Sequence, residues 1–292
     1  MVIPQEKLQL LKTIVASLTR VRGLGAVALG GSHARGTHNA QSDLDIGLYY
    51  RETQPFSVSD IREIASDLSA TGAPIVTEFY EWGPFVNGGA WIDNAVCKVD
   101  FLYRNLDQLE RIVGGAHEGI STHSYDQQPP FGFRSVTILG EIRCCKPLHD
   151  PDDILGGLKS AVAVYPPKLK ACIVQDTLWC AEFSFQFADD FAKSRDIPNT
   201  VACMTRIFHY LVQALFALND TYFLNDKRVL DEIEGFPKRP AEFAARVRAL
   251  FAAPGSDPEA LGASLKNLRT MFEETMRIAE GFYQPRFPVR SN

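Results

Sequence analysis

A glycine-glycine-serine turn followed by two closely spaced aspartates is the part of this sequence whose residue types and spacing best suit chemistry. The turn is Gly30, Gly31 and Ser32, and Asp43 and Asp45 follow after ten intervening residues. Backbone N–H groups in such a turn can bind a phosphate. Side chains alternate along a strand, so the two aspartates are predicted to share one face. Neighbouring carboxylates repel each other, and a divalent cation relieves that repulsion.

A third acid, Asp100, lies in the apolar segment VCKVDFLY, which is predicted to be a strand over Val96–Tyr103. An acid in such a strand is unfavourable unless it is paired or binds a metal. Pairing with Lys98 or Arg104 is the structural alternative. Transfer of a nucleotidyl group from a nucleoside triphosphate needs a divalent metal to neutralise phosphate oxygens and orient the attacking hydroxyl. A turn that can bind phosphate, together with three acids, therefore predicts nucleotidyl transfer.

The elements that position these residues can be predicted from hydrophobic spacing and turn residues. In the first 150 residues the predicted strands are Ala26–Leu29, Asp43–Tyr50, Pro74–Trp82, Val96–Tyr103 and Ser135–Ile142, and the predicted helices are Pro4–Arg22, Ser57–Leu68 and Asn105–Val113. Later segments have helical patterns, at Leu158–Val164, Pro167–Ala192, Thr200–Leu218, Lys227–Ile233, Pro240–Ala252 and Pro258–Phe282. We therefore predict an α/β (α+β) domain over residues 1–150 and an all-helical domain over residues 151–292.

Composition narrows the class of protein. A hydrophobic content of 46% supports a substantial core, and the net charge of −5 argues against a broad nucleic-acid-binding surface. The same charge suits a small cationic substrate. We found no apolar run near the roughly 20 residues of a membrane-spanning helix and no signal peptide, so we expect a cytoplasmic protein with no membrane partner. The six cysteines show no CxxC pair and are predicted to be reduced thiols.

The segment around the two aspartates resembles the signature of the nucleotidyltransferase superfamily related to DNA polymerase β. The resemblance rests on Gly31-Ser32, the ten-residue interval and Asp43-Leu44-Asp45, with Asp100 as the candidate third carboxylate. Within that superfamily the chain is similar to the bacterial small-molecule branch, which includes the aminoglycoside adenylyltransferases. In that branch a helical domain follows the nucleotidyltransferase domain.

This resemblance implies a small mixed sheet with flanking helices, Mg²⁺ as cofactor, and ATP or another nucleoside triphosphate as donor. It also implies a substrate bound in the cleft between the two domains. The predicted activity is transfer of a nucleoside monophosphate, AMP by preference, to a hydroxyl of a small molecule such as an aminoglycoside-like cation. Asp43, Asp45 and Asp100 are then the predicted metal ligands. Gly30, Gly31 and Ser32 are the predicted triphosphate contacts.

Four further residues have weaker candidate roles. Arg35 can reach a phosphate through its guanidinium, or be a solvated arginine on a turn. Lys227, in the segment Asn225-Asp226-Lys227, corresponds to lysines that contact the triphosphate in similar enzymes, or is a solvated helix-end lysine. The resemblance also implies that a carboxylate residue acts as the general base for the accepting hydroxyl. Glu81 is preferred over Glu78 for this role, and the alternative is that both are solvated acids at the edge of a strand.

Two other groups were considered. His33 and His38 are predicted to be surface residues, because two histidines on a loop without a cysteine partner are a weak metal signal. Trp82, Phe85 and Trp91 form either a stacking wall for a base or sugar or, as is more common for such clusters, part of the core.

Two alternative functions remain open at this stage. One keeps the chemistry and changes the acceptor to a tRNA end or a protein side chain, although the acidic composition disfavours tRNA. The other is a nucleotide-binding protein without turnover, such as a regulatory or antitoxin-like partner. Tight nucleotide binding without pyrophosphate release would distinguish it from the enzymes.

Overall fold

The computed structural model describes residues 3–285. The helices are α1 Gln5–Leu18, α2 Gly31–Arg35, α3 Val58–Leu68, α4 Leu106–His117, α5 Ser135–Cys144, α6 Ile154–Ala161, α7 Pro167–Lys193, α8 Ile197–Leu218, α9 Val229–Glu234, α10 Phe243–Ala252 and α11 Pro258–Ile278. The strands are β1 Leu24–Leu29, β2 Leu44–Tyr50, β3 Ile75–Val76, β4 Gly89–Asp93, β5 Lys98–Asn105, β6 His123–Ser124, β7 Phe133–Arg134 and β8 Lys146–His149. The predicted fold class is confirmed: a mixed α/β region with a small sheet precedes a mostly helical region.

The described chain divides into two compact units. The first contains the residues up to Gly115 and Thr122–Val164, and the second contains Ala116–Ser121 and the residues from Tyr165 onward. All of the six-stranded sheet lies in the first unit, together with α6. The second unit contains α7 to α11.

The sheet of the first unit has the strand order β3-β4-β5-β2-β1-β8. Strands β2 and β5 are parallel, while the other neighbouring strands are antiparallel. The sheet is therefore mixed, as the family resemblance implied. The parallel pair lies at its centre, where neighbouring strands hold it on both sides.

The core of the first unit lies on one face of this sheet. Alternate residues of the two central strands are buried there, among them Ile46 and Leu48 of β2 and Phe101 of β5. Apolar residues of α1 and α3, including Ile14 and Ile61, complete the cluster. Because strand side chains alternate, the remaining residues of β2 and β5 point to the opposite face. That opposite face carries two of the predicted aspartates.

The second unit is built around the antiparallel pair α7 and α8. Helix α8 is long and apolar enough to cross a membrane by length and composition alone, so the expectation that the sequence has no such segment is wrong for α8. However, 61% of its apolar window is buried inside the protein. This burial is what the central helix of a packed helical unit shows.

Two predicted strands are wrong in extent or type. Ser135–Ile142 is the beginning of α5, and nearly all of its residues are buried. A helix that is apolar on all sides has no amphipathic period and cannot be separated from a strand by its pattern. The predicted strand Pro74–Trp82 is only two residues long, Ile75–Val76, because the chain turns at residues 79–82 and Tyr80 has a φ of 64°.

Strand β8 was not predicted. Its sequence, KPLH, contains a proline that reads as a chain break, yet the strand pairs with β1 at the edge of the sheet. Edge strands tolerate proline because one side of the strand needs no hydrogen-bond donor.

Candidate functional site

The parallel pairing of β2 and β5 brings two of the three predicted acids together. Asp45 and Asp100 are register partners, so their side chains leave the same face of the sheet from neighbouring positions. Both residues are half-buried. Asp43 lies one residue before β2 and is also half-buried. The sheet therefore places Asp45 beside Asp100 and leaves Asp43 on the segment leading into β2.

The glycine turn lies directly against Asp45. The Gly30 N–H donates to the Asp45 carbonyl at 2.8 Å, which continues the pairing of β1 with β2 beyond Leu29. Gly31 has a φ of +55°, and a β-carbon at this position would overlap Oδ2 of Asp45. The Asp45 carboxylate thus occupies the space that any other side chain at residue 31 would need. Ser32 follows, half-buried, in α2.

The segment between α2 and β2 is held by a buried lysine. Lys7 of α1 is only 4% exposed, and its amine donates to the carbonyls of Ala40 at 2.9 Å and Ser42 at 2.5 Å. These carbonyls immediately precede Asp43. A cationic donor with two carbonyl acceptors fixes this part of the backbone more firmly than neutral contacts would. The position of Asp43 therefore depends on α1.

His33 and His38 are not surface residues, so this prediction is wrong. Their exposed fractions are 0% and 4%, and their rings stack with centroids 4.3 Å apart. Within residues 3–285 no ring nitrogen of either histidine makes a hydrogen bond of good geometry, although the Ser42 backbone lies near enough to His33 to raise its pKa against the effect of burial. Burial, reinforced by the nearby His38, lowers the pKa of His33. The pair behaves as an apolar stack inside the loop that joins the glycine turn to Asp43.

Lys7 was missed because a lysine on an amphipathic helix is usually read as solvated. Its position gives the available signal, since Lys7, Leu11, Ile14 and Leu18 follow the helical period and are the buried residues of α1. A charged residue on the apolar stripe of a helix needs a buried partner. Here the partners are the two loop carbonyls.

Arg35 is half-buried at the end of α2, close to the glycine turn in sequence. Glu81 is exposed in the turn after β3, where its carboxylate accepts the N–H of Glu78 at 2.8 Å. Glu78 forms an exposed ion pair with Arg62 at 3.1 Å. Because β3 ends at Val76, neither glutamate lies on a strand. The choice of Glu81 as the base stays a prediction.

Lys227 lies in the second unit, exposed in the turn that precedes α9. Its N–H donates to the side chain of Asn225 at 2.9 Å. The structure therefore places this lysine in the helical part of the chain, as predicted. Its contact with a triphosphate stays a prediction.

Trp82 and Trp91 form a close pair, with ring centroids 3.8 Å apart. Trp91 is 42% exposed, so the interpretation of this residue as core is wrong. Phe85 is half-buried and stacks on Phe133 at 5.0 Å instead. Trp91, on β4, is also the register partner of Asp100 on β5. This pairing places an exposed indole next to the two carboxylates.

Comparison with known proteins supports the interpretation of the first unit. Residues 8–85 match the family model of the nucleotidyltransferase domain. The match includes the glycine turn, Asp43 and Asp45, and it ends before Asp100. It supports the superfamily and nucleotidyl transfer as the general activity. The family description names no acceptor, so the similarity to aminoglycoside adenylyltransferases stays a prediction.

Among solved structures, a nucleotidyltransferase-like protein from Exiguobacterium sibiricum 255-15 is similar at 9% sequence identity and a TM-score of 0.49. The alignment covers 94% of this chain and 77% of that chain. At these values the likeness adds nothing to the assignment. A search of curated proteins gave no significant match.

The side chains available as metal ligands limit how a metal ion can bind at this site. Within residues 3–285, no group of three His, Cys, Asp or Glu side chains is arranged to bind a metal ion. Asp45 and Asp100 nevertheless provide two neighbouring carboxylates on one face. Mg²⁺ commonly takes one or two protein carboxylates and completes its shell with phosphate oxygens and water. The site fits a metal that binds together with a triphosphate, rather than a metal caged by protein alone.

Proposed function

We propose that this protein transfers a nucleoside monophosphate from ATP or another nucleoside triphosphate to a hydroxyl group of a small molecule, with Mg²⁺ as cofactor. The observation that carries the proposal is the register pairing of Asp45 with Asp100, with the Asp45 carboxylate held against Gly31. In this arrangement two carboxylates that can bind a cation lie beside a turn whose N–H groups can bind phosphate. Nucleotidyl transfer needs both in one place.

In this proposal Asp45 and Asp100 hold Mg²⁺, and Asp43, on the segment that Lys7 fixes, would join them only when metal and triphosphate are bound. The bound metal would neutralise the triphosphate oxygens and orient the attacking hydroxyl. Gly30, Gly31 and Ser32 would contact the phosphates through backbone N–H groups and the serine hydroxyl.

Arg35, the last residue of α2, would donate charged hydrogen bonds to the phosphates. Glu81 is the proposed base toward the acceptor and Lys227 a proposed triphosphate contact from the helical unit. The net charge of −5 favours a cationic acceptor, an aminoglycoside-like compound being one example, in a cytoplasmic setting.

The proposal is tested by incubating the purified protein with ATP labelled at the α-phosphate, Mg²⁺ and a panel of hydroxyl compounds that includes aminoglycosides. We expect label to appear on one class of acceptor. Asp45→Asn should reduce transfer at least a hundredfold, because the amide removes a metal-binding charge. Asp93→Asn, at an exposed acid on β4, is the matched control and should transfer normally.

Equal transfer by wild type and Asp45→Asn would show that the metal assignment is wrong. Tight, Mg²⁺-dependent nucleotide binding with no transfer of label and no pyrophosphate release would instead identify a binding protein without turnover.

A further inference from the structure

The residues of the candidate site form a row across the sheet. Trp91 of β4 is in register with Asp100 of β5, and Asp100 is in register with Asp45 of β2. Gly30 continues the row beyond Asp45 through its backbone hydrogen bond. Register partners project from the same face. The row therefore runs from the glycine turn, across the two carboxylates, to the exposed indole of Trp91.

This order gives the two ends of the row different roles. If the triphosphate binds at the glycine turn, its α-phosphate comes to the carboxylates that hold the metal. The attacking hydroxyl must approach opposite the pyrophosphate leaving group. That direction is away from the turn, on the side of Asp100 where Trp91 lies. A molecule held on Trp91 is therefore positioned as acceptor.

The second indole is built into a fixed position. Gly89 precedes Trp91 by two residues on the same face of β4, and a β-carbon there would lie 3.2 Å from the Trp82 ring while overlapping the Phe101 carbonyl. The Phe101 carbonyl excludes a side chain at Gly89, and the Trp82 ring lies close to this position of the strand. Trp82 thereby supports the Trp91 indole at a centroid distance of 3.8 Å.

The loop that carries Trp82 is held by side-chain amides. Gln127 donates to the Trp82 carbonyl and accepts the N–H of Phe85 at 2.9 Å. Gln108 donates to the Pro84 carbonyl, and Asn87 donates to Gln108 at 2.9 Å. Preorganised aromatic surfaces lose little conformational entropy when they bind a ligand.

Resting on the proposed function, we propose that Trp91, supported by Trp82, is the acceptor-binding surface and that it stacks on a sugar or cyclitol ring whose hydroxyl group faces Asp100. Such a ring has an apolar C–H face that suits an exposed indole, and ammonium substituents would interact favourably with the indole face. Trp91 then determines affinity for the acceptor and leaves nucleotide affinity unchanged.

The test uses fluorescence, because the chain has three tryptophans and Trp179 lies in the helical unit. In a Trp179→Phe background only Trp82 and Trp91 emit. We would titrate this protein with kanamycin, a polyhydroxylated polyamine, in the presence of Mg²⁺ and a non-cleavable ATP analogue. Kanamycin should change the emission, Trp91→Ala should weaken its binding at least tenfold, and Trp91→Phe should restore most of that loss.

Control measurements separate this proposal from the proposed function. Binding of the ATP analogue should change less than twofold in Trp91→Ala, and Tyr125→Ala, at a 68% exposed aromatic residue, should change neither affinity. The proposal is overturned if kanamycin does not bind, or if Trp91→Ala weakens the nucleotide instead, which would make the indoles a nucleobase site. Failure of the analogue to bind at all would overturn the proposed function as well.

Discussion

At the scale of single residues, Gly31 is the position where the proposed phosphate-binding turn lies against the proposed metal-binding carboxylate of Asp45. Gly31→Ala would place a β-carbon on the Asp45 carboxylate and force a left-handed φ on alanine. We expect a loss of stability of about 1 kcal/mol from the backbone. Mg²⁺-dependent nucleotide binding should also fall at least tenfold, because the carboxylate must move.

Gly36 provides a matched control for this variant. It has a φ of +73°, but open space lies where its β-carbon would be. Gly36→Ala should show a similar loss of unfolding free energy in urea and normal nucleotide binding by calorimetry. Comparable loss of binding in both variants would mean that backbone strain, and not contact with Asp45, explains the effect.

His33 predicts a dependence of stability on pH. Its pKa is lowered by burial, so below the unfolded value of about 6.5 the unfolded chain takes up a proton that the native ring does not. Stability that is fully present above that pH is therefore lost as the pH falls. Between pH 7.5 and 5.5 we therefore expect wild type to lose stability at this residue.

The measurement is urea unfolding at the two pH values. His33→Leu should lose less stability between them than wild type does, whatever its absolute stability. His117→Leu replaces an exposed histidine and should keep the wild-type dependence. An unchanged pH dependence in His33→Leu would argue against a neutral native His33.

At the scale of elements, α1 acts on the site through one side chain. Lys7→Met would leave the carbonyls of Ala40 and Ser42 without their cationic donor. We expect the protein to lose about 2 kcal/mol of stability, since two hydrogen bonds from a charged donor to part-buried carbonyls are lost. Amide hydrogen exchange should become faster over residues 37–43. Lys12→Met, at an exposed lysine of the same helix, should do neither. Unchanged exchange in Lys7→Met would show that the loop is held by other contacts.

Some elements could be predicted from the sequence and some could not, for physical reasons. Strands β2 and β5 alternate buried and half-buried residues over most of their length, so their faces and the two acids followed from the pattern. Helix α5 is buried on nearly all sides and gave no period. Strand β8 contains a proline, and β3 has only two residues, too few for any pattern.

The pairing of Asp45 with Asp100 also lay beyond the sequence alone. The spacing identified both acids, but their register depends on how two strands more than fifty residues apart align. The buried states of Lys7, His33 and His38 were missed for a related reason. Each is polar, and only tertiary contacts decide whether a polar side chain is buried.

At the scale of the whole molecule, the two compact units have different compositions of secondary structure. The first supplies the turn and the acids, and it contains the residues that match the nucleotidyltransferase domain. The second contains helices α7 to α11 and Lys227. The succession of a mixed α/β region by a mostly helical region could be predicted, because strand-like and helical patterns change near residue 150. A surface for the acceptor could not be predicted, because the sequence pattern does not show that Trp91 lies in register with Asp100.

The most direct test of the central claim is calorimetric titration of a non-cleavable ATP analogue with and without Mg²⁺. The account predicts that wild type and Asp93→Asn bind the analogue in a Mg²⁺-dependent manner. Asp45→Asn and Asp100→Asn should each weaken that binding at least tenfold while unfolding in urea as cooperatively as wild type. Wild-type affinity in both Asp45→Asn and Asp100→Asn would contradict the claim that these register partners form a metal and nucleotide site.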